Sequence, residues 1–541
     1  MAQVPATLFG PACSVPGRVV LIGFTQQGNL GLGYLAASLR AHGHEVDVVD
    51  CEQPAASVAG AVLRRDPVLV GFSVIFQPYL DRFAALARRL RADGVAAHLT
   101  AGGHFPSLDP QTTFELLPEL DSIVRFEGEL TLNELVDALN ASRDWRTVPG
   151  IAYRRGTQTV ETPARPLLAD LDQLPYPHET VAPRAILGRT AVQLTASRGC
   201  ARSCSFCSVQ TFYRGAGGPI VRTRRPAAVA SEMRTLHEHL GATIFLFQDD
   251  DFPMWGRAGR RWVAEFLDEL ARQGLAGRVA WKVACRADQL DGRLLERMRR
   301  AGLFLVYLGL EAGTAEGLRA LHKETTVEQN EGAVELLKGH GILYDFGFMM
   351  LEPSSSFETM RGNLAFLRRI AGDGSAAAEF CRMVPYEGTP VERELERSGR
   401  LRGGPCDPGY EYLDARLDAV SQDIHQALCA TGWILSPQSL AQHLKFARTE
   451  LAVADRLVPG LKGVAGYRER LRTITRSANT VVLDVMESIA EARRRREAPL
   501  LDHAALREQA AAWTQVLVSE RDAFVERNQA AILAGLPDET A

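Results

Sequence analysis

AVQLTASRGCARSCSFCSV, residues 191–209, sets a short apolar run directly before a glycine-led loop that holds Cys200, Cys204 and Cys207. The run has the length and composition of a buried strand. The loop carries three of the nine cysteines in a chain of 541 residues. A structural zinc site takes four ligands, usually from two CxxC pairs, and the next cysteine, Cys285, is far along the chain. Cys-x3-Cys-x2-Cys on one loop suits instead three irons of a cuboidal iron–sulfur cluster. The fourth iron would stay open to chelate a second molecule. Zinc and three ordinary loop thiols are the competing readings.

Downstream of this strand, further strands are expected at 242–248, 278–284, 303–309, 342–350 and 377–384, each followed by a helix-length segment. Six βα units predict a partial (β/α)6 barrel of the TIM type, whose chemistry should lie where strands pass into their following loops. The three cysteines occupy that place after the first strand. Upstream, RVVLIGF (18–24), EVDVVD (45–50), VLVGFSVIF (68–76), AHLTAGG (97–103) and SIVRF (122–126) alternate with helical stretches. Such runs predict a doubly wound, Rossmann-like α/β sheet, which binds ligands at the carboxyl ends of its strands. The expected layout is an α/β domain over 1–140, a proline-containing linker over 141–190, the barrel over 191–398 and a helical domain over 399–541.

Composition narrows the function classes. With 46% hydrophobic and 23% charged residues the chain reads as a globular, multi-domain protein. No apolar run is long enough to span a bilayer and the first residues lack a secretory pattern, so a cytoplasmic protein without a membrane partner is expected. A formal charge of -4 argues against a nucleic-acid partner. The basic run EARRRREAPL (491–500) fits a solvated helix end. Odd, clustered cysteines fit reduced thiols open to metal chemistry.

The cysteine spacing, Phe206 just before the third cysteine, and the strand-to-loop position resemble the radical S-adenosylmethionine (SAM) enzymes. FLFQDDDF (245–252), CRADQL (285–290), LGLEAGT (308–314), LHKETTVEQN (321–330), FGFMMLEPSSSFET (346–359) and VPYEGTP (384–390) follow in that family's order. The resemblance implies a 4Fe-4S cluster on Cys200, Cys204 and Cys207, with SAM on the open iron, cleaved after one-electron reduction to a hydrogen-abstracting radical. It also implies cofactor contacts from Phe206, Asp249, Asp250, Arg286, Glu311 and Met350. The fifth-strand region lacks the glycine-proline-glycine turn of many members.

The N-terminal domain resembles cobalamin-binding domains, which carry D-x-H-x-x-G, then S-x-L, then G-G. Ser73-Val74-Ile75 and Gly102-Gly103 stand at the expected separation, and QQGNLG (26–31) occupies the first slot with Gln26 for the aspartate and Gly28 for the histidine. The slot for the nucleotide tail is therefore expected at Ser73, Gly102 and Gly103, without a histidine below the cobalt. Phe76 and Gln77 are candidates to cover that lower face. His104 is expected to hydrogen-bond nearby, and Glu127 to contact cofactor or the domain interface.

From about 18 to 400 the chain resembles the cobalamin-dependent branch of the radical SAM family, class B methyltransferases in particular. The function implied is methyl transfer from SAM through cobalamin to an unactivated carbon of a small, natural-product type molecule; a peptide substrate is kept open. Oxidative cyclisation, ring contraction or another rearrangement without methyl transfer is the alternative, and a non-catalytic cobalamin-binding protein is the alternative from another class. A flavodoxin or ferredoxin is the electron donor expected. Cys381, Cys406 and Cys429 are spaced like ordinary thiols rather than a second cluster, and Tyr412 and Trp433 are weak candidates to line a pocket.

Overall fold

The continuous apolar runs near the N-terminus become strands because both of their faces are covered. The structure, a computed structural model, describes residues 16–25, 29–177 and 184–534. Strands β1 (Arg18–Gly23), β2 (Glu45–Asp50), β3 (Leu69–Ser73), β4 (His98–Gly102) and β5 (Ser122–Val124) pair in parallel in the order β2-β1-β3-β4-β5. Val20, Ile22, Val70 and Phe72 join one apolar layer with Phe83 and Leu86. Val19, Leu21 and Leu69 join the other with Leu135 and Val136. The strand order reverses at β1, which opens a crevice at the carboxyl ends of β1 and β3.

The segment read as a linker also contributes strands. β6 (Ile151–Arg155) pairs antiparallel with β5, and β7 (Gln158–Glu161) pairs antiparallel with β6. Arg155 faces Gln158, so Gly156 and Thr157 form a two-residue turn, and Gly156 has φ +64° as such hairpins require. Of the first motif slot, Gln26 and Gly28 lie outside the described residues.

The second sheet contains β8 (Arg184–Ile186), β9 (Arg189–Leu194), β12 (Ile244–Phe247), β13 (Ala280–Arg286), β14 (Leu303–Glu311), β15 (Leu343–Leu351) and β16 (Cys381–Arg382); between β9 and β12 the short strands β10 (Ser197–Arg198) and β11 (Arg222–Thr223) pair with each other. Its order is β16-β15-β14-β13-β12-β9-β8. β9 and β12 to β16 run parallel, giving the six-stranded partial barrel, while β8 lies antiparallel on its edge. The sixth strand is much shorter than expected, two residues on a bulged register with β15.

Outward-facing Val192, Phe245, Trp281, Val283 and Val306 pack under the surrounding helices in the largest core. The bore side is different. Ala191, Ile244, Ala280 and Leu305, near the beginnings of the strands, meet Val453 from the helix Leu440–Leu457, which closes that end. The C-terminal part is mainly helical, with the helices Arg416–Ile424, Val464–Arg494 and His503–Leu533 beside this one. A hairpin of Leu401–Arg402 and Gly409–Tyr410 precedes them. The basic run at 491–500 falls where the helix Val464–Arg494 ends. No helix among the described residues is long and apolar enough to cross a membrane.

Candidate functional site

The cysteine loop leaves the barrel after β9 and is pinned by the acidic triplet that follows β12. Asp249 accepts hydrogen bonds from the Ala196 N–H at 3.0 Å and the Ser197 hydroxyl at 2.6 Å. Asp250 accepts from the Gly199 N–H at 2.8 Å. Gly199 itself has φ +84°, and a Cβ there would stand 2.0 Å from the Ile220 carbonyl oxygen, so this turn needs glycine. Ser205 anchors the loop's middle by donating its N–H to the Leu321 carbonyl at 3.0 Å. Cys207 then stands at the position just before the helix Ser208–Ala216, with no capping hydrogen bond from its side chain.

All eight described cysteines are free, so the three loop thiols are not consumed in a disulfide. Burial pushes the Cys200 thiol up to about 11 and the Cys207 thiol up to about 12, and it raises Cys204 as well. Cationic iron would reverse this preference, since a coordinated thiol loses its proton. The donor set therefore fits a cluster held by Cys200, Cys204 and Cys207.

Burial likewise raises the Asp249 carboxyl to about 7, against the hydrogen bonds from Ser197 and Ala196 that favour its charged form. Asp249→Ala would leave two buried donors without their acceptor. We expect a loss of about 1–3 kcal/mol in anaerobic urea denaturation and a lower iron content, whereas Asp249→Asn, which keeps a carbonyl acceptor, should lie close to wild type.

Beside the thiols stands a second polar group. Glu311 ends β14 in the left-handed region, φ +66°, and its Oε1 accepts from the buried Lys323 ammonium at 3.1 Å. Burial disfavours that ammonium, but Glu311 and Cys204 outweigh the effect and raise its pKa. Arg286 is held by Asp288 at 3.0 Å and by the Lys323 carbonyl at 2.7 Å. Gln289 donates to Asp251 at 2.8 Å, and Asp251 lies 3.9 Å from the Cys200 sulfur. Yet Arg286 Nη1, Gln289 Oε1 and Asp251 Oδ1 are buried with no partner among the described residues. Buried donors and acceptors left open in this way fit a small zwitterion such as the amino-acid end of SAM. Phe206 packs, half-buried, against the barrel core, and Met350 faces a separate cavity.

The N-terminal slot is a cavity of about 620 Å³ that runs from the carboxyl ends of β1, β3, β4 and β5 to the cysteine helix. Asn29 caps the helix Leu30–Ala41 by accepting from Leu32 N–H at 3.1 Å, and it donates to the Ser73 hydroxyl at 3.3 Å, tying the first motif to the second. Gly103 has φ +122°, and a Cβ there would stand 2.0 Å from the Val74 carbonyl oxygen; at Gly102 it would meet the Val124 carbonyl at 3.1 Å. The glycines let these strand ends pack closely backbone to backbone, and Ser73, Gly102 and Gly103 line the cavity with little or no side chain, which fits a cofactor tail laid against backbone. Gln77 is buried and accepts from the Glu387 N–H at 3.1 Å, while Phe76 is 47% exposed at the cavity wall. His104 stacks on Phe212 at 4.3 Å and hydrogen-bonds the Ser208 hydroxyl at 3.1 Å, so it joins the slot to the residue after Cys207.

Glu127 borders the cavity, but its carboxylate is engaged by protein. It accepts from Arg198 at 3.0 Å, Arg222 at 2.8 Å and the Leu168 N–H at 3.1 Å. Arg198 also reaches Glu129 at 2.7 Å. Arg198, Glu129, Asn29, Asp251, Gln289 and Lys323 are functional neighbours that sequence reasoning missed. Two carried a signal: Arg198 abuts the glycine of the loop, and Asp251 completes the aspartate triplet. Cys406 is held apart, 3.3 Å from the Asp81 carboxylate, whereas Cys381 and Cys429 share the separate cavity. Tyr412 lines that cavity too, and Trp433 is core, its indole donating to the Leu506 carbonyl.

A thiol loop with an open polar cleft, and beside it a cavity that runs from Ser208 and Asp250 to the glycine-lined strand ends of a second α/β sheet, suit an enzyme of more than one cofactor. The B12 binding domain model matches residues 24–136 and the Radical SAM superfamily model residues 194–364. The chain belongs to the B12-binding radical SAM enzymes, whose cofactors are a 4Fe-4S cluster, SAM and cobalamin. An uncharacterised methyltransferase of Pyrococcus horikoshii is 27% identical over 370 residues, covering 66% of this chain and 76% of that protein. The anaerobic magnesium-protoporphyrin IX monomethyl ester cyclase of Rubrivivax gelatinosus is 31% identical over 381 residues, covering 67% of this chain and 65% of the cyclase. The solved structure of the radical SAM methyltransferase TsrM of Kitasatospora setae, with tryptophan and a SAM analogue, shares the fold. Its TM-score is 0.61 at 20% identity over 73% of this chain and 80% of that one.

Proposed function

We propose that this enzyme is a C-methyltransferase that moves a methyl group from SAM by way of cobalamin to an unactivated carbon of a small molecule. The observation that carries it is the common cavity: Gly102 and Gly103 at one side and Asp250 and Ser208 at the other border the same space. Two cofactors opening on one space can act on one substrate atom, and holding reactants together supplies much of such a rate. When bound, the cluster with SAM supplies a hydrogen-abstracting radical and cobalamin supplies a methyl carrier. The chain's own residues bind and orient: Cys200, Cys204 and Cys207 hold the cluster, Arg286, Glu311 and Asp250 face SAM, and Ser73, Gly102 and Gly103 receive the cobalamin tail. The electron comes from a flavodoxin or ferredoxin; neither nucleic acid nor membrane takes part, and the protein works in the cytoplasm.

The likeness to the Rubrivivax cyclase favours a second reading, oxidative cyclisation or rearrangement without methyl transfer. Incubation of the anaerobic holoenzyme with methyl-labelled SAM and candidate substrates separates the two. Label in a product methyl group supports transfer; deoxyadenosine with unlabelled product supports rearrangement. Cys204→Ala should lose iron and bring deoxyadenosine formation, read by chromatography, down to the buffer background. A Cys204→Ala protein that kept full function would establish a non-catalytic cobalamin binder instead.

A further inference from the structure

The separate cavity, about 350 Å³, opens between the end of the barrel and the C-terminal helices. Arg382, the last residue of β16, projects into it; its backbone pairs with Leu351 at the carboxyl end of β15, the same end of the sheet as the cysteine loop. The guanidinium carbon lies 4.3 Å from the centre of the Tyr410 ring and 5.5 Å from that of Tyr412, and one nitrogen donates to the Tyr410 carbonyl. The two phenol oxygens are 3.5 Å apart. The two rings stand at 70° to each other, so the guanidinium sits in an aromatic corner nearest Tyr410, with N–H groups left over for a planar or tetrahedral anion.

Arg382 is exposed at the rim of this cavity, whereas Arg198 and Arg222 are held by Glu127, Arg224 by Glu232 and Arg286 by Asp288. No carboxylate among the described residues lies within 4.0 Å of Arg382. Asp418 shares the cavity and feels the charge of Arg382, but it forms no ion pair with it, and its carboxylate accepts from the Tyr412 N–H at 3.4 Å. Glu379 is already engaged by Lys445 and by Gln442 at 2.9 Å.

Three further features point to a ligand. Met350, Leu351, Phe380 and Ile424 give the cavity an apolar wall. His425 and Cys429 enter it from a π-helical turn, His425–Cys429, a rare distortion that is frequent at functional sites. The neighbouring Cys381 also lines the cavity and pairs with Met349 near the carboxyl end of β15, the end of the sheet at which the cysteine loop leaves β9.

We propose that the substrate has an apolar body and one oxyanionic arm, a carboxylate or a phosphate, and that Arg382, clamped by Tyr410 and Tyr412, binds that arm at the barrel mouth. This rests on the barrel mouth being a substrate site, as under Proposed function. The test is saturation-transfer NMR on the anaerobic holoenzyme, titrated with butyrate and, separately, with butyl phosphate. Wild type should bind at least one, and the tighter probe identifies the arm. Arg382→Gln should weaken that probe about tenfold or more, and Arg382→Lys, which keeps charge without the planar fork, should fall between. Matching iron and corrinoid contents show that a variant is folded; where Arg382→Gln fails that check, Arg382→Lys carries the comparison. Equal affinities in wild type and variant, or no transfer from either probe in the millimolar range, overturn the assignment. The readout needs no turnover, so a holoenzyme that yields no deoxyadenosine overturns the proposed function separately.

Discussion

Gly103→Ala is expected to strip the protein of corrinoid while leaving its iron in place. At φ +122° an L side chain is strained by about 1–3 kcal/mol before any contact is considered. The added Cβ would also stand 2.0 Å from the Val74 carbonyl oxygen. That carbonyl cannot simply step aside, because the Val74 N–H is bonded to the Gly102 carbonyl at 2.8 Å, which fixes the two strand ends together. The slot must therefore open as a unit, and a cofactor tail threaded against the backbone loses its wall. Reconstituted variant should hold at most about a tenth of the wild-type corrinoid by absorbance, a deficit equal to about 1.4 kcal/mol of binding. Iron and sulfide should match wild type, since the cysteine loop hangs on Asp249, Asp250 and Leu321 and not on this turn. Full corrinoid in Gly103→Ala would show that the cofactor sits elsewhere.

Arg198→Met is expected to cost about 3–5 kcal/mol and to uncouple the two sheets, because removing one partner of a buried ion network leaves the rest charged and unpaired. Arg198 is 14% exposed at its side chain, bridges Glu127 and Glu129, and lies over the Tyr34 ring at 4.7 Å. Glu127 keeps Arg222, but Glu129 has no other ion-pair partner among the described residues. Anaerobic denaturation should change from one transition toward two, one for each sheet. Acid gives an independent check. Burial pushes the Glu127 carboxyl up, but Arg198 and Arg222 outweigh it and hold its pKa below the usual range. A carboxylate held down in the folded state contributes stability above its unfolded pKa, about 4.3, and loses it as pH falls through the lower folded value. Wild type should thus lose docking stability below about pH 4, and Arg198→Met should show a shallower slope there. A variant with wild-type stability at neutral pH would mean that Arg198 is dispensable to docking.

How much of this was legible in sequence depends on the range of the interaction. β1 to β5 could be placed because a two-sided parallel sheet needs uninterrupted apolar runs, and Val19 to Ile22 or Leu69 to Phe72 supply them. The cysteine loop was legible because its ligands are local. The β6–β7 hairpin was overlooked beneath the prolines that follow it, although Gly156 between two alternating runs is a turn signal. What stayed hidden depends on distance along the chain: Arg198 meets Glu127 and Glu129 across 71 and 69 positions, and Glu127 was undecided between cofactor and interface until its partners were seen. Met350 was expected with SAM from its place after the fifth strand. The structure sets it on the wall of the cavity of Arg382, which pattern alone does not reveal.

The helix Leu440–Leu457 presses Val453 into the floor of the barrel, among Ile244, Ala280 and Leu305. Apolar side chains thus plug the bottom of the bore, which leaves the opposite, carboxyl end of the strands as the place for polar chemistry. Widening the stopper residue to a charged one would be felt as leakage of water into the vestibule, far from any cofactor.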